Sequence, residues 1–213
     1  MDISEPTISV VVHNPQGTVG VRITLMKNAV ILHGTNGSSQ HNWFPWLKTE
    51  LEKLSYQVWV PDLPGANKPN VFTYNEFLLK NSNWQFDEET VLIGHSSGAV
   101  EILSLLQHLP SNTKIKAAYL VGAFNDNLGE EYLNDLFLEP FDFSIIKQRA
   151  NQFFLIHSDN DPYCPLEQAQ FLAEQLDGEL VVKPGQAHFS LSTAGETYRQ
   201  FPFLLELIKT SHD

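Results

Sequence analysis

The sequence predicts an α/β protein with a mostly parallel sheet covered by helices on both faces, and three observations predict it. From residue 29 onward, apolar runs of strand length alternate with longer amphipathic segments. The longer segments carry their apolar residues mostly at three- and four-residue intervals, the spacing of one helical face. The chain has 213 residues, 42% of them hydrophobic and 18% charged, enough for a substantial core within one domain spanning residues 1–213.

The elements follow in order. Residues 1–28 differ from the rest: TISVVVHNPQGTVGVRITLM holds two β-rich runs around His13-Asn14-Pro15-Gln16-Gly17, a hairpin extension expected to lead into the sheet. Six strands with their exits then follow, AVILHG (29–34), YQVWVPDLP (56–64), TVLIGHSS (90–97), IKAAYLVGAF (115–124), NQFFLIHSDND (151–161) and ELVVKPGQ (179–186). Between the first two, WFPWLKTELEKL places Trp43, Trp46, Leu47, Leu51 and Leu54 on one helical face. FTYNEFLLKNS reads as a short helix, GAVEILSLLQHL and CPLEQAQFLAEQL as longer ones, and YRQFPFLLELIK as a last helix that starts or kinks at Pro202. Residues 125–150 form the longest connection between two strands, with room for short helices but too few residues for a separate cap domain.

Charge and cysteine content narrow the function. With 13 basic and 25 acidic residues the formal net charge is -12, which repels nucleic acid phosphates and anionic lipid headgroups. The first residues lack a basic stretch leading into a long apolar one, and no apolar run approaches the ~20 residues that span a bilayer. One cysteine, Cys164, cannot form an intrachain disulfide or a multi-thiolate metal site, which fits a reducing, cytoplasmic compartment.

The segment VLIGHSSGAV (91–100) sets Ser96 in a Gly-x-Ser-x-Gly pattern. Such a match arises by chance in about one chain in fifteen of this length, so context has to decide. The strand-like run before it and helix-like run after it are the context of a nucleophile elbow, where a sharp turn exposes the serine and the helix N-terminus favours an oxyanion. A serine hydroxyl needs a base, and the base needs an orienting carboxylate. In open α/β folds such groups collect beyond the C-terminal ends of strands. Asp159 and Asp161 follow one strand and His188 the next, giving the order Ser, Asp, His. Asp161 is preferred to Asp159 because it precedes Pro162 in a stiff exit, whereas Asp159 suits an Asx turn. The glycine-rich HGTNGSS loop after the first of the six strands supplies the backbone donors, so Thr35 and Ser97 N–H groups are expected to face the oxyanion. Trp43, Phe124, Phe141, Phe143 and Phe189 are candidate walls of a substrate pocket.

Two rival readings accompany this one. His157, Asp159 and Asp161, joined by His33, offer ligands for a cation, yet no HExxH helix or EF-hand loop is present, and no metal or cofactor is expected. A noncatalytic binding protein on the same scaffold is the other, since fold does not establish function.

Taken together, the HG loop, HNWFPW, IGHSSGAV, LVGAF followed by NLGEE, DNDPYCP and GQAHF, in that order from about Val30 to Leu207, resemble the small serine hydrolases of the α/β-hydrolase superfamily related to retinoblastoma-binding protein nine. The resemblance implies a three-layer α/β-hydrolase fold, Ser96, Asp161 and His188 as nucleophile, orienting acid and general base, and a carboxylester or thioester as small-molecule substrate. The chain departs from that group in its N-terminal hairpin and in Phe141 and Phe143, where related sequences tend to carry tryptophans. It also lacks any Leu-x-Cys-x-Glu segment, so retinoblastoma binding is not implied.

Overall fold

The computed structural model describes residues 8–11, 20–23 and 26–211. Strands β1 (Ile8–Val11) and β2 (Gly20–Ile23) pair antiparallel, Ile8 opposite Ile23 and Val11 opposite Gly20. They form a two-stranded ladder of their own rather than extending the main sheet. The expected turn at His13–Gly17 lies outside the described residues.

The main sheet contains β3 (Asn28–Leu32), β4 (Gln57–Trp59), β5 (Thr90–His95), β6 (Ile115–Val121), β7 (Ala150–His157) and β8 (Glu179–Val182). Their order is β4-β3-β5-β6-β7-β8 and every pairing is parallel. β5 therefore sits inside the sheet, between β3 and β6. Its central residues Val91, Leu92 and Ile93 are apolar on both faces because both are covered. Leu92 packs with Val30, Leu32, Ala118 and Leu120 on one face, while Val91 and Ile93 pack with Ala29, Ile31, Ala117 and Tyr119 on the other. That two-sided burial is why these strands read as unbroken hydrophobic runs.

The first face is covered by α2 (Val71–Leu79), α3 (Ser97–His108) and α5 (Leu166–Leu176), which contribute Leu78, Ile102, Leu106 and Leu172. The opposite face is covered by α1 (Phe44–Lys53) and α7 (Pro202–Thr210), through Phe44, Leu47, Leu51, Leu204 and Ile208. Pro202 opens α7 rather than kinking it, since the first helical position needs no N–H. The 125–150 connection contains a 3-10 turn at Glu131–Leu136, the one-turn helix α4 (Phe143–Ile146) and a second 3-10 turn at Lys147–Arg149. A one-turn helix α6 (Leu191–Ala194) lies between β8 and α7. The result is the α/β-hydrolase architecture in three layers, with no cap domain among the described residues. Nor is any helix there long and apolar enough to cross a membrane.

Candidate active site

The site begins where β5 runs into α3. Ser96 occupies this junction at φ 57° and ψ -126°, a conformation that costs a non-glycine residue roughly 1–3 kcal/mol. Its N–H donates to Val121 O (2.8 Å), and its carbonyl accepts from Ala99 N (2.9 Å) and Val100 N (3.2 Å), so the junction is anchored on both sides. Three glycines make the close approach possible. A Cβ on Gly98 would stand 2.5 Å from the carbonyl oxygens of Leu32 and His33, one on Gly94 2.6 Å from Ala99 Cα, and one on Gly34 2.9 Å from Ser96 Cβ. The N-terminus of α3 is thus seated directly on β3 and β5, leaving the Ser96 side chain at the exposed rim.

The loops after β7 and β8 meet beside it. Asp161 Oδ1 accepts from the N–H groups of Tyr163 (2.9 Å) and Cys164 (3.0 Å), which leaves Oδ2 for His188 Nδ1 at 2.6 Å. Both side chains are shielded from water, 1% exposed for Asp161 and 6% for His188. Burial alone would raise the Asp161 pKa, but the His188 hydrogen bond and charge, with the two backbone N–H groups, hold it below the usual carboxylate value. An ionised Asp161 makes Nδ1 the protonated ring nitrogen of neutral His188, so Nε2 carries the lone pair.

Ser158, Asp159 and Asn160 hold the His188 loop by its backbone. Gln186 N donates to Ser158 Oγ (2.9 Å), Gly185 N to Asp159 Oδ1 (2.8 Å) and Ala187 N to Asn160 Oδ1 (2.8 Å). From the other side, His95 Nε2–H donates to His188 O (2.8 Å), Trp43 Nε1–H to Phe189 O (3.1 Å), and Leu191 N–H to Asn42 Oδ1 (3.0 Å). These bonds matter because Ala187 and Phe189, on either side of His188, take left-handed φ values of 48° and 52°. Burial lowers the His95 pKa to about 3, so its ring is neutral and its donor role independent of ordinary pH.

Ser96 and His188 line one cleft of about 830 Å³. Among the described residues, Ser96 Oγ has no hydrogen-bond partner; such contacts are often loose until substrate arrives. Thr35 and Ser97 lie beside it, tied by a hydrogen bond from Thr35 Oγ1 to Ser97 Oγ (3.0 Å). Their backbone N–H groups are uncommitted among the described residues, while Asn36 and Gly37 spend theirs on Ala66 O and Gly34 O. Two free donors next to a serine, on the rim where the helix dipole points, suit a developing oxyanion.

The structure therefore brings Ser96, His188, Asp161, Thr35 and Ser97 together. Asp159 is turned to Gly185 across the loops, rather than forming the expected local Asx turn. Of the five aromatic residues expected in the pocket wall, Phe124 is on the cleft. The other four need correction. Trp43 and Phe189 are wholly buried, Trp43 against Phe44 and Phe201, and Phe189 stacked on Phe201. Phe141 and Phe143 join an aromatic row that runs from Phe137 to Phe171, away from the cleft. The loop-holding roles of His95, Asn42 and Asn160 carry no sequence signal, because nothing in a linear pattern says which backbone a polar side chain will reach.

The proposed cation ligands do not converge. His33 Nε2 accepts from Leu63 N (2.9 Å) and His157 Nε2 donates to Cys164 O (2.8 Å), while Asp159 serves Gly185. Asp161, Cys164 and His188 do offer atoms within 4.8 Å of one another, but burial pushes the Cys164 thiol far up, away from the thiolate a metal needs, and Asp161 already binds His188. A second carboxyl, Glu101 in α3, is wholly buried with neither oxygen hydrogen-bonded among the described residues, and burial raises its pKa well above the usual value.

The family model described as "Serine hydrolase" matches residues 29–209. The chain is 30% identical over 166 residues to YdeN of Bacillus subtilis (strain 168), covering 78% of this chain and 87% of that one. It is 27% identical over 176 residues to serine hydrolase RBBP9 of Rattus norvegicus, covering 80% of this chain and 91% of the relative. Among solved structures, the ydeN gene product of B. subtilis superposes with a TM-score of 0.81 at 27% identity, over 87% of this chain and 98% of its own. Est1E from Butyrivibrio proteoclasticus shares the fold, with a TM-score of 0.62 at 17% identity over 86% and 89% of the two chains.

Proposed function

Because the chain belongs to the serine hydrolase family, we propose that it cleaves a carboxylester or thioester through Ser96, His188 and Asp161, by way of an acyl-enzyme. The observation that carries this reading is the buried 2.6 Å pair of Asp161 and His188 on a cleft shared with a strained, elbow-mounted Ser96.

In the proposed reaction, His188 Nε2 takes the Ser96 hydroxyl proton as Oγ bonds to the substrate carbonyl carbon. The carbonyl π electrons move to oxygen, and Thr35 and Ser97 N–H groups stabilise that oxyanion. Collapse breaks the bond to the leaving alkoxide or thiolate, which receives the proton from His188. A water then repeats the sequence: its proton goes to His188, its oxygen bonds to the acyl carbon, and the released Ser96 oxygen recovers the proton. Asp161 holds the Nδ1–H tautomer and stabilises the imidazolium without taking the proton. Residues 1–213 act as one domain in this reading, in a reducing cytoplasmic setting.

The test is turnover of activated esters by wild type and Ser96→Ala, with and without chelator. Ser96→Ala is expected to lower kcat by about 10⁴- to 10⁶-fold with an unchanged melting curve, and chelator to have no effect. Equal rates for the two proteins would refute the nucleophile. Loss of wild-type activity with chelator would favour a metal-dependent hydrolase.

A further inference from the structure

Resting on the hydrolase reading above, we propose that the substrate is an uncharged ester with one apolar group, and that Leu128 sets the preference for that group. Sheet order gives the cleft two chemically different walls. Ser96 stands at the end of β5; the β3 exit lies to one side of it and the β6 and β7 exits to the other. The β3 side carries Thr35, Asn36, His41 and Asn42. Ser190 and Ser192, from the loop after β8, join that side because Leu191 N–H bonds to Asn42 Oδ1. This wall offers hydroxyl, imidazole and amide groups, with the apolar Leu191 among them. The β6 and β7 side carries Phe124, Leu128, Leu133, Pro162 and Tyr163 and is mostly apolar and aromatic, with Glu130 on the same side.

Leu128 stands out within that wall. It takes φ 54°, followed by Gly129 at φ 79°. A leucine there crowds its Cβ against the carbonyl oxygen, which is why glycine or asparagine usually fills such positions. The turn is nevertheless held firmly. Leu128 N–H donates to Asp126 Oδ1 (2.7 Å) and Gly129 N–H to Asn127 Oδ1 (3.0 Å). Gln168 ties the segment to α5, donating to Asp126 Oδ2 (2.8 Å) and accepting from Asn125 N (2.8 Å). Side-chain bonds thus keep a large apolar residue in a disfavoured conformation, half-buried on the cluster of Val100, Phe124 and Leu133, where it lines the cleft and also borders a shallower hollow with Asp126 and Gln168. Strain maintained at a cleft wall is the mark of a residue kept for what it contacts.

The charges point the same way. Among the described residues no lysine or arginine lines the cleft, the exposed Glu130 does, and the whole chain carries -12. Anionic groups therefore meet repulsion without a partner. An apolar, uncharged group fits the β6 and β7 side, and a neutral hydrogen-bonding group fits the other.

Two series of esters test this, one lengthened by methylenes in the acyl part and one in the alcohol part, each repeated with a terminal carboxylate on the longest chain. In wild type, kcat/KM is expected to rise about fourfold per methylene in one of the series and to lose about tenfold with the carboxylate. Leu128→Gly should flatten that rise while its Tm stays within about 4 °C of wild type, because relieved strain offsets lost packing. Leu128→Asn, which tolerates the same φ, provides the same reading in a second background. A rise retained in both variants, no rise in either series, or equal rates for carboxylate and alkyl esters would overturn the proposal while leaving the hydrolase intact. Failure of wild type to cleave any ester would instead defeat the hydrolase reading beneath it.

Discussion

The elbow around Ser96 and the pair of loops that bring Asp161 to His188 are fixed by opposite means. At the elbow, absent side chains decide: Gly34, Gly94 and Gly98 leave no room for a Cβ, so backbone rests on backbone. In the loops, present side chains decide, with Ser158, Asp159 and Asn160 each binding a different N–H of residues 185–187. His95 links the two regions, since it precedes Ser96 and reaches His188 O. Steric exclusion gives a geometry that cannot relax without displacing the sheet. A hydrogen-bonded template gives one that can lose a member and shift by a fraction of an ångström. The same difference is expected to make changes at the elbow act on stability and changes in the loops act on rate.

The largest expected effect breaks the elbow. Gly98→Ala would set a Cβ 2.5 Å from two β3-exit carbonyl oxygens. About 3 kcal/mol or more of stability should be lost, lowering Tm by roughly 10 °C in calorimetry. A melting curve like wild type would contradict the steric account. The loops should respond differently. Asn160→Ala removes the acceptor for Ala187 N and for Ser158 Oγ (2.7 Å), so the His188 ring should wander. A fall of about 10- to 100-fold in kcat is expected with a Tm change of only a few degrees.

How much of this could be read from the sequence follows the same division. Gly94 and Gly98 stand two residues before and after Ser96, so the elbow, and the two-sided apolar strands behind it, show in the linear pattern. The template does not. Asp159 and Asp161 are chemically alike in a sequence, and Pro162 was the one local reason for preferring the second; what separates them is that Asp159 faces Gly185 and Asp161 faces His188, a matter of loop-to-loop register. Trp43 and Phe189 illustrate another limit. Apolar side chains carry the same signal whether they fill a core or line a pocket, and these two fill the core through an indole N–H that bonds the Phe189 carbonyl.

A smaller effect contrasts the buried carboxyls of the two regions. Asp161 has a depressed pKa, so the stability it contributes is present above its unfolded value of 3.8 and is lost as pH falls through the folded one. Glu101 has a raised pKa from burial, so its contribution is complete below about 4.5 and is lost as pH rises toward the folded value. Glu101→Gln should therefore gain Tm over wild type increasingly from pH 5 to pH 8. Parallel curves across that range would show Glu101 to be paired or hydrated. The smallest effect belongs to the second serine of the elbow. Ser97→Ala keeps the backbone N–H and loses only the hydroxyl contact with Thr35, so about 1 kcal/mol of stability and less than tenfold in kcat should go.

In the proposed reaction Ser96 is a nucleophile made reactive by a histidine held on a separate loop. Labelling by a fluorophosphonate, compared among wild type, Ser96→Ala and His188→Ala at equal folded concentration, tests it most directly. Rapid labelling of wild type, none of Ser96→Ala and labelling of His188→Ala slowed by orders of magnitude is the predicted result. Equal labelling of all three proteins would contradict it.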